Sequence, residues 1–193
     1  MDARNALNAL LNHKMPTVTT TKVFGCSIKW AEKKSGLPAI KAKWAAEPVT
    51  INTITQAGLK ELAQNKSDKL RLINVWATWC GPCVTEFPGL VEIKRMFSRR
   101  DFEMVTVSAD DPTKKDKALK FLKEEQSSST NYIFNIDDKY KLIEAIDPKW
   151  QGALPYTLLV EPGGKIIYAH EGEINTKAVE KMIVDDKFIG RYF

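Results

Sequence analysis

Cys80 and Cys83 stand three residues apart in Trp79-Cys80-Gly81-Pro82-Cys83, at the point where an apolar run gives way to a helical pattern. Two thiols at this spacing can carry out disulfide exchange. One thiolate attacks a substrate disulfide, and the second resolves the mixed disulfide that forms. The thiolate is the reactive species, so the attacking cysteine needs a lowered pKa. A helix N-terminus lowers it through unpaired N–H groups and the positive end of the dipole. Cys80 falls at the start of the helix and is expected to be the nucleophile. Cys83, one turn in and less exposed, is expected to be the resolving thiol. Pro82 is tolerated in the first turn, where no intrahelical N–H bond is lost.

Other chemistries fit the pair less well. A zinc site needs about four ligands, and only Cys26, His13 and His170 remain to complete one, with no paired spacing among them. No metal and no organic cofactor is therefore expected. A purely structural disulfide is disfavoured by the two-residue spacing at a helix start. Three cysteines in all are too few for a disulfide-stapled scaffold. A thiol peroxidase would need one activated cysteine in a Thr/Ser-containing pocket, with a proline spacing that is missing around Cys80. A non-catalytic binding module would have lost the cysteines.

The elements that must position the pair can be read from periodicity. Leu70 to Trp76 is a nearly continuous apolar run, as in a strand buried on both faces. After the box, Val84 to Arg99 repeats apolar residues at Phe87, Leu90, Val91, Ile93 and Phe97, a helix that Pro88 should kink. Phe102 to Ser108 is a second interior strand, and Lys114 to Glu125 a polar-faced helix with Leu119 and Leu122 turned inward. Ser-rich Gln126 to Thr130 reads as a loop and Lys139 to Ile146 as a short helix. Tyr156 to Val160 and Lys165 to His170 are strands joined through Glu161-Pro162-Gly163-Gly164, a hairpin turn. A helix over Asn175 to Phe188 closes the chain. Upstream, Val49–Ile51 reads as a strand and Thr55 to Gln64 as a helix, with Thr53 or Thr55 as cap. The order is β-α-β-α-β-α-(α)-β-β-α. It implies an α/β fold with a mixed central sheet, parallel strands plus a C-terminal antiparallel hairpin, covered by helices.

The first 46 residues read differently. Ala3 to Asn12 has Leu7, Leu10 and Leu11 at helical spacing, whereas Met15 to about Pro48 lacks sustained periodicity. A short strand near Lys22–Phe24 is expected within an otherwise irregular extension. The division is thus 1–46, an N-terminal helix and basic extension or linker, and 47–193, the compact domain. Net charge follows the same line. Residues 1–45 hold eight Lys/Arg and two Asp/Glu, a balance of +6, while the rest holds 21 and 22, a balance of −1. A basic tail could touch nucleic acid, anionic lipid or an acidic partner. Its spread lysines and lack of an aromatic platform favour a solvated linker, so no nucleic-acid partner is expected. No run of about 18 apolar residues exists, so no membrane-spanning segment is expected. Residues 1–5 show no basic region leading into the apolar core of a signal peptide.

Over residues 47–193 the sequence resembles the thioredoxin superfamily, specifically the TlpA/ResA-like thioredoxins. The likeness is carried by Asn74-Val75-Trp76-Ala77-Thr78-Trp79-Cys80-Gly81-Pro82-Cys83, by Glu86-Phe87-Pro88 and by Leu154-Pro155-Tyr156-Thr157. The resemblance implies a thioredoxin fold and a protein disulfide reductase that takes its electrons from an upstream dithiol protein. It implies a cis Leu154–Pro155 bond facing the cysteines, in a loop that presents backbone groups to a bound peptide. Trp79, Gly81, Pro82 and Leu154 would then form the substrate-binding surface, and Trp76 and Trp150 either core or groove. Ordinary thioredoxins carry a buried Asp where Asn74 stands, and Asn74 cannot shuttle a proton. The resemblance instead assigns that role to Glu86, three residues after Cys83, as proton acceptor or pKa tuner. The Gly-Pro pair matches the reducing thioredoxins, whose potentials lie near about −270 mV. The same likeness implies the bacterial periplasm or the outer face of the inner membrane, with the cytoplasm as alternative.

The segment Phe24-Gly25-Cys26-Ser27-Ile28-Lys29-Trp30 resembles the C-terminal tail of peroxiredoxin-like, thioredoxin-fold proteins, and the helix before it fits that tail. On this expectation the chain is cut from a longer protein with a thioredoxin-fold domain before residue 1. Cys26 would be a redox partner of that domain or a plain free thiol.

Overall fold

The computed structural model describes residues 2–18, 37–136 and 138–190. The expected strand near Lys22–Phe24 and the segment around Cys26 lie outside them. The chain divides into two units, 1–38 and 39–193. In the first, α1 (Asp2–Leu11) exposes Leu7, Leu10 and Leu11.

The second unit is built on a six-stranded sheet. In chain order it comprises all but the first two residues of α2 (Leu37–Ala45), then β1 (Asn52–Ile54), α3 (Gln56–Gln64), β2 (Leu70–Trp76), α4 (Gly81–Met96) and β3 (Phe102–Ser108). There follow α5 (Lys115–Glu124), β4 (Thr130–Phe134), α6 (Lys139–Ile146), β5 (Tyr156–Val160), β6 (Ile166–Glu171) and α7 (Thr176–Asp185). The sheet order is β1-β4-β3-β2-β5-β6. β1, β4, β3 and β2 run parallel, β5 pairs antiparallel with β2, and β6 pairs antiparallel with β5. The expected mixed sheet is therefore present, with β2 near its middle.

Strand alternation sorts the core onto two faces. Leu70, Leu72 and Trp76 of β2 pack with Cys83, Phe87, Leu90 and Ile183. Ile73 and Val75 turn the other way, toward Leu59, Leu142, Trp150 and Tyr156. Asn74 shares the parity of Leu72 and Trp76, so the sequence places an amide on the face that α4 covers.

Three elements depart from the sequence expectation. β4 begins at Thr130, the last residue of the stretch read as a Ser-rich loop, and runs on where no element is expected. Its Asn131 is buried, and the Asn131 amide donates to the Thr50, Ser127 and Ser129 carbonyls. A strand anchored by one polar residue shows little apolar alternation. β1 begins at Asn52, three residues after Val49, because its register is set by pairing Asn52 with Tyr132 of β4. α2 forms within the stretch read as irregular. Its Trp44 ring lies under the Arg95 guanidinium at 4.9 Å, a contact between distant segments. The hairpin after β5 turns on Gly163 and Gly164, both at φ +87°. A Cβ on Gly164 would also stand 3.0 Å from the Gln64 carbonyl oxygen, so this turn needs glycine.

Candidate active site

Strand β2 delivers the cysteines to the edge of the sheet, and α4 begins there. Cys80 is the N-cap of α4 with extended backbone, and its Sγ accepts the Cys83 N–H at 3.3 Å. Gly81 and Pro82 open the first turn, where Pro82 lacks only an N–H that no carbonyl awaits. The helix thus begins directly after Cys80, as expected, with Cys83 in its first turn. The pair is joined as a disulfide, with Cα atoms 5.3 Å apart. Cys80 retains a little exposure and Cys83 has none.

One turn beyond Cys83, Glu86 is buried on the same face of α4. Its Oε1 accepts from the Asn74 amide at 3.0 Å and its Oε2 from the Ile174 N–H at 2.9 Å. Asn74 also donates to Thr157 Oγ1 at 3.0 Å, and its own Oδ1 has no partner. Burial pushes the Glu86 carboxyl up to about 6, with the nearby Glu173 charge adding to it and the two donors opposing it. A carboxyl so placed can exchange a proton near neutral pH.

The third segment is the loop before β5. Its Leu154–Pro155 peptide bond is cis, as the resemblance implied. Leu154 and Trp79 line one small cavity of about 80 Å³, together with Trp150, Leu142 and Ile143. Trp150 is core as well as groove: it stacks on Tyr156 at 4.7 Å between ring centres, and its indole N–H donates to the Ala153 carbonyl at 2.8 Å. Trp76 is wholly buried against Phe87 and Phe121. Trp79, by contrast, is 62% exposed, a large aromatic left facing water beside the cysteines. His13 lies in α1's unit and His170 in β6, and among the described residues no three His, Cys, Asp or Glu side chains form a metal-holding group.

Two acids that position the site escaped the sequence reading. Asp110, buried just past β3, accepts from the Thr78 N–H at 3.0 Å and the Thr78 hydroxyl at 2.7 Å, and from Ser108 at 2.7 Å. It thereby pins the turn that carries Trp79 and Cys80. Glu171, at the end of β6, accepts from the Gln151 N–H at 2.7 Å and the Ala153 N–H at 3.3 Å, which holds the loop leading into the cis bond. The only sequence signal for Asp110 was an acid at the end of an interior strand; Glu171 gave none.

Known proteins resemble this chain to different extents. The chain is 30% identical over 113 residues to the thiol-disulfide oxidoreductase ResA of Bacillus subtilis, covering 58% of this chain and 56% of ResA. It is 28% identical over 121 residues to the thiol:disulfide interchange protein HelX of Rhodobacter capsulatus, covering 63% and 62%. The chain thus spans under two thirds of the length of these two relatives. Among solved structures, a DsbF homologue from Corynebacterium diphtheriae superposes with a TM-score of 0.55 at 19% identity, covering 63% of this chain and 74% of that one. At that identity the likeness speaks for the fold alone, which is the thioredoxin fold of the resemblance. The Redoxin family model matches residues 14–185, a span that takes in the cysteine pair, Glu86 and the cis-proline loop, and the chain belongs to the Redoxin family.

Proposed function

We propose that this protein is a thiol–disulfide oxidoreductase that reduces disulfides in protein substrates through Cys80 and Cys83. The observation that carries the reading is the pair itself: Cys80 caps α4 and Cys83 lies buried one turn inside, joined as a disulfide. In the reduced state the N-terminal N–H groups of α4 favour the Cys80 thiolate. That thiolate attacks one sulfur of the substrate disulfide, forming a mixed disulfide and releasing the other sulfur as a thiolate. Cys83 then gives up its proton and attacks Cys80 Sγ. The second substrate sulfur leaves as a thiolate, and the Cys80–Cys83 bond remains. Two electrons have passed to the substrate, and an upstream dithiol protein must return them.

Glu86 takes the Cys83 proton in this scheme, because a buried carboxylate near a pKa of about 6 is a competent acceptor. The cis Leu154–Pro155 loop and the exposed ring of Trp79 form the peptide-binding surface, with Gly81 and Pro82 as its floor. Residues 47–193 constitute the redox domain, and residues 1–46 an extension from it. The family resemblance supports a location in the bacterial periplasm or on the outer face of the inner membrane. The reading is tested by insulin reduction, with Cys80→Ala expected to be inactive. Cys83→Ser should accumulate mixed disulfides on Cys80, visible by non-reducing electrophoresis. Full activity in Cys80→Ala would refute it.

A further inference from the structure

Trp79 separates the small apolar cavity at Leu154 from a larger groove of about 410 Å³ on its other side. That groove runs from Thr78 and Trp79 to Asp111, Lys114, Lys117 and Lys139. Lys139 lines both hollows, so they meet beside the aromatic ring. The Lys139 ammonium is fixed there by donating to the Ala109 carbonyl at 2.6 Å. Lys114 and Lys117 are exposed and make no ion pair among the described residues. Of the two acids in the wall, Asp110 is turned inward and Asp111 stands at the surface. Asp110 is buried, with both oxygens accepting from Thr78 and Ser108. Asp111 spends its Oδ1 on the N–H and hydroxyl of Thr113, and its carboxylate feels the charges of Lys114 and Lys139. What the groove offers to a visitor is therefore an apolar ring beside the exposed ammonium groups of Lys114 and Lys117, with the Asp111 carboxylate among them.

The geometry points to a specificity rim for acidic protein segments: Lys114 and Lys117 select disulfide substrates that carry Asp or Glu within a few residues of the reactive cysteine. This rests on the oxidoreductase reading, since a chain that brings its disulfide to Cys80 must pass over Trp79. Long lysine stems can then follow the substrate while their charged heads meet its carboxylates. Rim charges of this kind act chiefly on encounter and on choice of partner, and they weaken with salt. No new chemistry is added, as electrons and protons move as in the exchange itself.

The test uses the full chain and three disulfide-linked peptides that differ only in the residues flanking cysteine: acidic, neutral or basic. At low ionic strength, where the screening length is about 30 Å, the acidic peptide should show kcat/KM about tenfold above the basic one. At ~0.15 M salt the ratio should shrink to about twofold. In the double charge reversal K114E/K117E the ranking should invert. Equal rates for the three peptides, or the same ranking in K114E/K117E, would overturn the rim. The same peptides with serine for cysteine, bound and followed by tryptophan fluorescence, separate the two readings. If no peptide is reduced, the oxidoreductase reading fails, and the affinity order of the serine peptides still decides the rim. An order of acidic above basic that inverts in K114E/K117E supports it, and equal affinities reject it.

Discussion

At the scale of single residues, Glu86 and Asn74 depart furthest from what their positions alone would give. An acid early in a helix normally faces water and favours the dipole. Glu86 instead turns inward, and burial raises its carboxyl from 4.5 to about 6. The folded state then holds this proton more tightly than the unfolded chain. Folding therefore gains from Glu86 below pH 4.5 and loses that increment as the pH rises through about 6, by about 2 kcal/mol. Urea unfolding across this window should show the fall in the wild type and a flat response in Glu86→Gln. The catalytic consequence has the opposite sign. In the proposed exchange only the ionised carboxylate can accept the Cys83 proton, so resolution of a mixed disulfide should slow as the pH falls below about 6. In Glu86→Gln that acid limb should vanish and the rate should drop about 100-fold, measured by stopped-flow resolution of a preformed mixed disulfide. Asn74 fits both protonation states. Its amide nitrogen donates to the carboxylate, and rotating the amide would bring its unpartnered Oδ1 to the acid form. Asn74→Asp would set a second carboxylate 3.0 Å from Glu86, at the distance of the present hydrogen bond. Like charges so close cannot both ionise easily, so the acid limb should move to higher pH by about one unit or more. The residue types were legible in the sequence; the amide–carboxylate pair followed only once strand parity and helix start were fixed.

At the scale of elements, each reactive segment is held by a carboxylate that comes from a different strand end. Asp110 ties the turn after β2 to the end of β3, across 32 residues of sequence. Removing it in Asp110→Ala leaves the Thr78 N–H and hydroxyl without their acceptor. The expected cost is about 3 kcal/mol, with a smaller loss in Asp110→Asn, read from chemical unfolding. Reductase activity should fall in parallel, because the freed turn carries Trp79 and Cys80. Such links explain what sequence reading could and could not supply. Strands β2, β3 and β5 and helix α6 are continuous apolar or periodic stretches, and their observed bounds coincide with those expected. β4 and α2 depend on tertiary contacts, the amide of Asn131 and the ring of Trp44, that leave no periodic trace. Asp110 and Glu171 are invisible for the same reason, since their function is to accept from backbone brought near by the fold.

At the scale of the whole chain, the sheet explains why residues so far apart in sequence form one site. The parallel strands bring β2 and β3 to end side by side, and antiparallel β5 starts at that same edge, with Val75 opposite Tyr156. The cysteine turn, Asp110 and the cis-proline loop therefore converge without any long excursion of the chain. None of these contacts uses residues before Glu47. Glu47 itself belongs to the compact part: its carboxylate accepts from Lys94 of α4 at 2.8 Å and from the Ser128 hydroxyl, and these contacts lower its pKa. A chain reduced to residues 47–193 should consequently fold and reduce insulin with kcat/KM within about twofold of the full chain. Losing the Trp44–Arg95 contact should lower stability by only about 0.5–1 kcal/mol, the usual worth of an exposed cation–π pair. Calorimetry of the two chains, read beside the insulin assay, checks both numbers. An unfolded 47–193 fragment would make α2 an integral part of the redox domain and move the domain boundary upstream.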